Sequence, residues 1–159
     1  ERIPTLDALL DLSKDRLALC IEIKDGSEIA EKIAVALDQR MMRDQVVIFS
    51  FDPQQVVAAK KAMSDVPVLW LATRDRLRRR HPADAVGQAV ALGADAIGFD
   101  HHFANKEMVA EAHAAGLVVF VYTVDARAAV RKVLSWGVDG IISTQPGQVY
   151  RLGGAVTSQ

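Results

Sequence analysis

Cysteine is almost absent from this chain: Cys20 is the only one in 159 residues. A single thiol excludes an internal disulfide framework. Its neighbours in Leu17-Ala18-Leu19-Cys20-Ile21 are apolar, so it is expected as a small core residue rather than a reactive one. Also missing is any apolar run of the roughly 18 to 20 residues that a membrane-crossing helix needs, so no membrane span is expected. Neither sign of charge is in excess. Nineteen Lys and Arg against 20 Asp and Glu leave a formal net charge of -1, which argues neither for a nucleic-acid partner nor for a membrane surface, and no nucleic-acid partner is expected. The one basic cluster, residues 74–80, is local and is interrupted by Asp75 and Leu77. The chain lacks both the Gly-x-Gly-x-x-Gly fingerprint of dinucleotide sites and a Walker-type loop, which excludes two common phosphate grips. No signal segment is visible, and the expected compartment is the cytoplasm, with a periplasmic or secreted location left open.

What is present is a regular alternation. Half of the residues are hydrophobic and a quarter are charged, an ordinary balance for one globular domain with a real core. Six short apolar runs, at 17–23, 46–51, 66–72, 94–99, 117–123 and 138–143, are rich in Val and Ile. They read as strands covered on both faces. Helical patterns lie between most of them. Ser27 is the expected cap of a helix with Ile29, Ile33 and Leu37 on one face. Asp52-Pro53 opens a second, and residues 82–92 form a third. Residues 105–115 close at Gly116, and Asp125 is expected to cap 126–136, which stops at Gly137. Residues 147–159 read as a flexible tail, with one turn around 149–152. Strands joined by helices imply parallel pairing through right-handed crossovers, in an open doubly wound sheet or in consecutive units of a (β/α)8 barrel.

The residues that carry chemistry sit where such strands end. Glu22 and Lys24 are two apart on a strand and therefore share a face. A carboxylate there binds a hard cation and an ammonium neutralises a phosphate; a plain surface ion pair is the simpler alternative, and spacing leaves both open. Asp100, His101 and His102 follow another strand end, either as a metal or acid–base cluster or as rim-loop residues before a helix capped by Asn105. His81 is expected in a solvated loop and His113 on an exposed helix position. Trp70 and Trp136 read as packing residues, and Asp52 and Asp125 as helix caps. Ser50 and Phe51 either border the pocket or pack in the core.

Taken in order, five segments resemble the glycerophosphodiester phosphodiesterase family. They are Ile3-Pro4-Thr5-Leu6-Asp7-Ala8-Leu9-Leu10, Ile21-Glu22-Ile23-Lys24, Ser50-Phe51, Tyr122-Thr123-Val124-Asp125 and Gly137-Val138-Asp139-Gly140-Ile141-Ile142-Ser143-Thr144-Gln145-Pro146. Each is weak alone; their order and spacing match the family from its third strand to its eighth. The resemblance implies a TIM-type (β/α)8 barrel, residues 1–146 supplying six of its eight units. It implies hydrolysis of a small glycerophosphodiester to an alcohol and glycerol 3-phosphate, with a divalent metal, Ca or Mg. On the family pattern Glu22 is one of three acidic metal ligands, Lys24 lies by the phosphate, and Tyr122, where tryptophan is common, lines the substrate pocket. Asp125 stands for a frequent asparagine and Thr144 for a common aspartate, changes that bear on head-group preference.

One departure is larger. The family's His-Arg-Gly strand, its Glu-x-Asp pair and its His-Asp motif, all from the first two strands, do not occur here, so no catalytic histidine is expected in this chain. Hard divalent cations take roughly six to eight oxygen ligands, which a lone Glu22 does not supply. A barrel short of two strands also exposes its interior layers, at roughly 25 cal/mol per Å² of apolar surface. Two alternatives follow: a truncated, non-catalytic relative that serves as a binding or assembly module, as a homodimer or swapped assembly, or an unrelated phosphate-binding barrel that shares only the layout.

Overall fold

The computed structural model describes residues 2–26, 28–73 and 82–153. Ser27, the basic cluster at 74–80, His81 and the end of the tail at 154–159 lie outside the described residues. The chain forms two compact units, Glu1–Trp70 with Leu92–Ala94 and Leu71–Ala91 with Asp95–Gln159. Among the described residues no helix is long and apolar enough to cross a membrane.

The first unit runs α1 (Leu6–Ser13), β1 (Leu19–Glu22), α2 (Ile29–Asp38), a 3-10 turn (Arg43–Gln45), β2 (Val46–Ser50), α3 (Pro53–Ala62) and β3 (Val68–Ala72), whose last two residues belong to the second unit. β1 pairs in parallel with β2, Leu19 opposite Val46 and Glu22 opposite Phe49, and β2 pairs in parallel with β3. α1 was legible only as a family segment, not as a helix; Thr5 caps it, its hydroxyl accepting from Ala8 N–H at 3.2 Å. Arg40 at the end of α2 bonds Asp7 and Asp11 of α1, and the Arg40 guanidinium holds the Asp11 carboxyl below its usual range. Arg43 does the same for Asp38 while also reaching Asp65. Asp52 and Pro53 open α3 as expected, the Asp52 carboxylate accepting from Gln54 N–H at 2.9 Å.

Glu28 stands at the N-cap of α2, with no side-chain cap bond. One expectation fails in this unit. Cys20 is exposed rather than buried. Val46, Ile48, Ser50 and Ile23 are buried, whereas the other side of the same two strands carries exposed Cys20 and half-buried Val47 and Phe49. Burial therefore alternates along β2, and β1 is nowhere fully buried; the even hydrophobicity of these runs did not reveal that one face is left less covered. β3, by contrast, is buried throughout, with Trp70 wholly enclosed.

The second unit runs α4 (Pro82–Ala91), β4 (Ala96–Asp100), α5 (Lys106–Ala114), β5 (Val118–Tyr122), α6 (Arg127–Leu134), β6 (Gly140–Ile141) and α7 (Pro146–Gly153). β4 pairs in parallel with β5, Asp100 opposite Tyr122, and β5 with β6, Phe120 opposite Gly140. Asn105 caps α5 through a 2.9 Å bond from Met108 N–H. Gly116 and Gly137 follow α5 and α6 at φ of +79° and +81°, the left-handed conformation that glycine adopts without strain. α7 is longer than the single turn expected at 149–152.

Asp125 is not the cap of α6. Ala126 holds that position, and the Asp125 carboxylate reaches across to the loop after β6. It accepts from Ser143 Oγ at 2.9 Å, Thr144 N–H at 2.8 Å and Thr144 Oγ1 at 2.9 Å. These bonds, Ser143 foremost, hold its carboxyl below the ordinary range. Sequence spacing pointed to the local acceptor; the parallel β5–β6 pair offered three donors in fixed positions instead.

Two predictions follow from this packing. A Cβ on Gly140 would lie 2.2 Å from the Phe120 ring, so Gly140→Ala is expected to cost about 1–3 kcal/mol in denaturant unfolding. An unchanged midpoint would mean that the ring moves aside freely. Because folding depresses the Asp125 pKa, its contribution is present above the ordinary carboxylate pKa of about 4 and is lost as pH falls through the depressed value. Thermal melts of Asp125→Asn and the parent chain should therefore differ most near about pH 7 and converge only as pH falls below the ordinary carboxylate range. A constant gap would refute the role of the ionised carboxylate.

Candidate functional site

In the first unit the site is built from the exits of β1 and β2. Ile23 N–H donates to Phe49 O at 2.8 Å, carrying the ladder one residue beyond β1. Ile23 is buried, and alternation turns Glu22 and Lys24 to the opposite, less covered side. There Lys24 Nζ donates to Glu22 Oε1 at 2.9 Å; the lysine side chain is 78% exposed and the glutamate 29%. Ser50 fixes the two exits to each other. Its hydroxyl donates to Ile23 O at 2.5 Å and accepts from Asp52 N–H at 3.1 Å. Glu22, Ile23, Lys24, Ser50, Phe51 and Asp52 together line a cavity of about 270 Å³. Ser50 therefore both packs and borders a cavity, and Phe51 stands partly exposed at its edge.

In the second unit the exits of β4 and β5 hold Asp100 and Tyr122. Asp100 Oδ1 accepts from His102 N–H at 3.0 Å and contacts His102 Nδ1 at 2.9 Å. His101 Nδ1 lies 3.3 Å from Tyr122 O, and the two imidazole centroids are 3.8 Å apart. Burial raises the Asp100 pKa, but the His102 bonds and the adjacent imidazoles outweigh it and hold the carboxyl below the ordinary range. Burial first, and then the Asp100 charge, push the Tyr122 phenol well above its usual range. Its hydroxyl stays protonated and donates to Ala72 O at 2.6 Å. Tyr122 thus presents its ring rather than a negative oxygen.

Ligand atoms of Asp100, His101 and His102 all lie within 4.8 Å of one another, the one group of three or more potential metal ligands among the described residues. Their placement in a turn before the Asn105 cap matches the rim-loop reading, yet that turn also gathers the ligands. The adjacent Asp-His-His at a strand exit was the available signal. Glu22 is not part of such a group, so it fits a hard-cation site as one carboxylate among ligands drawn from elsewhere.

The remaining candidates have structural duties. His113, on the exposed side of α5, bonds Asp139 Oδ2 at 2.8 Å, and that oxygen also accepts from Val119 N–H at 2.7 Å. Trp70 packs in the core as expected, while half-buried Trp136 lies under the Lys132 ammonium at 5.2 Å.

Comparison with known proteins agrees with this layout. A glycerophosphodiester phosphodiesterase of Bacillus subtilis (strain 168) is 24% identical over 160 residues, covering 95% of this chain and 54% of its own. One from Caldanaerobacter subterraneus subsp. tengcongensis is 28% identical, covering 96% of this chain and 62% of its own. The chain thus spans little more than half the length of these relatives. The crystal structure of an Agrobacterium tumefaciens str. C58 protein bearing the same family name superposes with a TM-score of 0.88 at 23% identity, over 98% of this chain and 66% of that one. That likeness carries the fold: a parallel α/β phosphodiesterase-like architecture, of which the described residues form six strands. The family model described as glycerophosphoryl diester phosphodiesterase matches residues 4–148, and the chain belongs to that family.

Proposed function

We propose that the protein hydrolyses glycerophosphodiesters to an alcohol and glycerol 3-phosphate with the help of a divalent cation, Ca or Mg, and that this chain supplies part of the site. The observation that carries this reading is the Glu22–Lys24 contact at the edge of a cavity formed by two strand exits. Family membership supports the reaction class.

A bound cation would polarise the phosphodiester and neutralise charge on its oxygens. Glu22 fits such an ion as a partly exposed carboxylate on a firmly held strand end, and it is one ligand of several. Lys24 gives a phosphate oxygen a positive partner, with enough exposure to leave Glu22 and swing toward it. Ser50 is a positioning residue: by holding Ile23 O it sets where the β1 exit stands relative to the cavity. Tyr122 contributes an apolar ring surface for the head group or glycerol moiety. Proton transfer is assigned to no residue of this chain.

Turnover of glycerophosphocholine by the protein carrying this chain tests the reading. Glu22→Gln is expected to lower kcat/KM about 100-fold or more under subsaturating cation, and Lys24→Met to lower kcat about 100-fold with little change in cation dependence. Near-normal activity of Glu22→Gln would sink the ligand role. A parent protein that binds glycerol 3-phosphate but turns over no diester would favour the non-catalytic relative instead.

A further inference from the structure

We propose that Asp100, His101 and His102 form a second cation site, selective for a borderline-soft ion of the Zn²⁺ type and different in chemistry from the hard-cation role given to Glu22. The argument begins with proton positions. A carbonyl oxygen only accepts, so the contact of His101 Nδ1 with Tyr122 O requires the proton on Nδ1 and leaves Nε2 with a lone pair. His102 differs: its Nδ1 stands 2.9 Å from Asp100 Oδ1, a spacing that two ligands of one ion adopt, and with the ring proton on Nε2 both atoms face the same ion. A second hydrogen bond of this kind, from the far ring nitrogen to a carbonyl or carboxylate, is what orients imidazoles that ligate metals. Here His101 holds such a bond, to the Tyr122 carbonyl, before any ion is bound.

Geometry then brings the ligands together. The three ligand atoms lie within 4.8 Å of one another. Two ligands on one zinc ion, at about 2.0–2.2 Å each, stand no more than about 4.4 Å apart. Closing on an ion therefore takes only small rotations, and His102 is exposed enough to make them. The turn itself is firmly set, with Phe103 and Ala104 N–H both donating to Asp100 O at 3.0 Å and Asn105 capping the helix that follows. That turn uses the backbone and one oxygen of Asp100, so it does not account for the two histidines.

Donor chemistry selects the ion. Two imidazoles and one carboxylate suit zinc and its neighbours, whereas calcium and magnesium favour oxygen ligands throughout. Three protein ligands leave a coordination position open for water or an anionic oxygen. The site lies at the exit of β4, directly opposite Tyr122 in the strand register.

The test is a calorimetric Zn²⁺ titration of the full 159-residue chain carrying Cys20→Ser, which removes the exposed thiol as a competing ligand. One equivalent is expected to bind and to remain bound in a large excess of Mg²⁺. His101→Ala and His102→Ala should each weaken binding about 10- to 100-fold or more. Glu22→Gln and His113→Ala should leave it unchanged, which separates this site from the proposed hard-cation role. Absence of saturable binding, or binding by either histidine variant as tight as the parent's, would overturn the proposal. If either variant loses its circular dichroism, nitrogen NMR of the parent chain decides: Zn²⁺ should shift ring-nitrogen resonances of His101 and His102, and shifts confined to His113 or His81 would refute the site.

Discussion

Parallel strand pairing is the constraint on which the rest depends. A parallel pair cannot be joined by a tight turn, so each strand must be followed by a crossover that returns the chain to the starting end. Within each unit, neighbouring strands therefore leave the sheet on the same side. In the first unit this places Glu22 opposite Phe49, and in the second it sets Asp100 opposite Tyr122. The chemistry of each exit follows from which side chains stand last on the strand. The exits are then locked by side chains rather than by the ladder: Ser50 holds Ile23 O, and Asp125 gathers Ser143 and Thr144. Both clamps link residues far apart in sequence that only parallel neighbours bring within reach.

This explains what was legible in the sequence. Strand runs and most helices declared themselves through apolar periodicity, proline at the start of α3 and glycines after α5 and α6, all local signals. Glu22 and Lys24 were legible for the same reason, since a two-residue spacing on a strand fixes their shared face. The failures are non-local. Asp125 read as a cap because its immediate sequence allows it, and only the β5–β6 pairing supplies the competing donors. Cys20 read as core because its neighbours are apolar, although hydrophobicity along one strand says nothing of what covers it. The Asp100 cluster lies between these cases: the residues are contiguous, but the Tyr122 carbonyl that sets the His101 tautomer comes from the adjacent strand.

Cation chemistry also separates the two exits. At β1 the ligand is a carboxylate, and the partner it already holds is an exposed ammonium. Pairs of this kind are worth only about 0–1 kcal/mol, because water screens them and two side chains must be held still. On the proposed reading, a divalent ion at this oxygen would put two positive charges where Lys24 puts one, so Lys24 would be released at little cost toward a phosphate. At β4 the carboxylate is engaged by an imidazole and a backbone N–H. That exit is ordered before any ion arrives, and nitrogen donors give a hard ion little reason to prefer it over water. Pre-ordering favours tight binding of the ion the donors suit, whereas an exchangeable ion pair favours coupling of cation binding to phosphate binding. On the proposals made above, the exposed lysine at β1 suits turnover chemistry, and the cluster at β4 suits holding an ion in place.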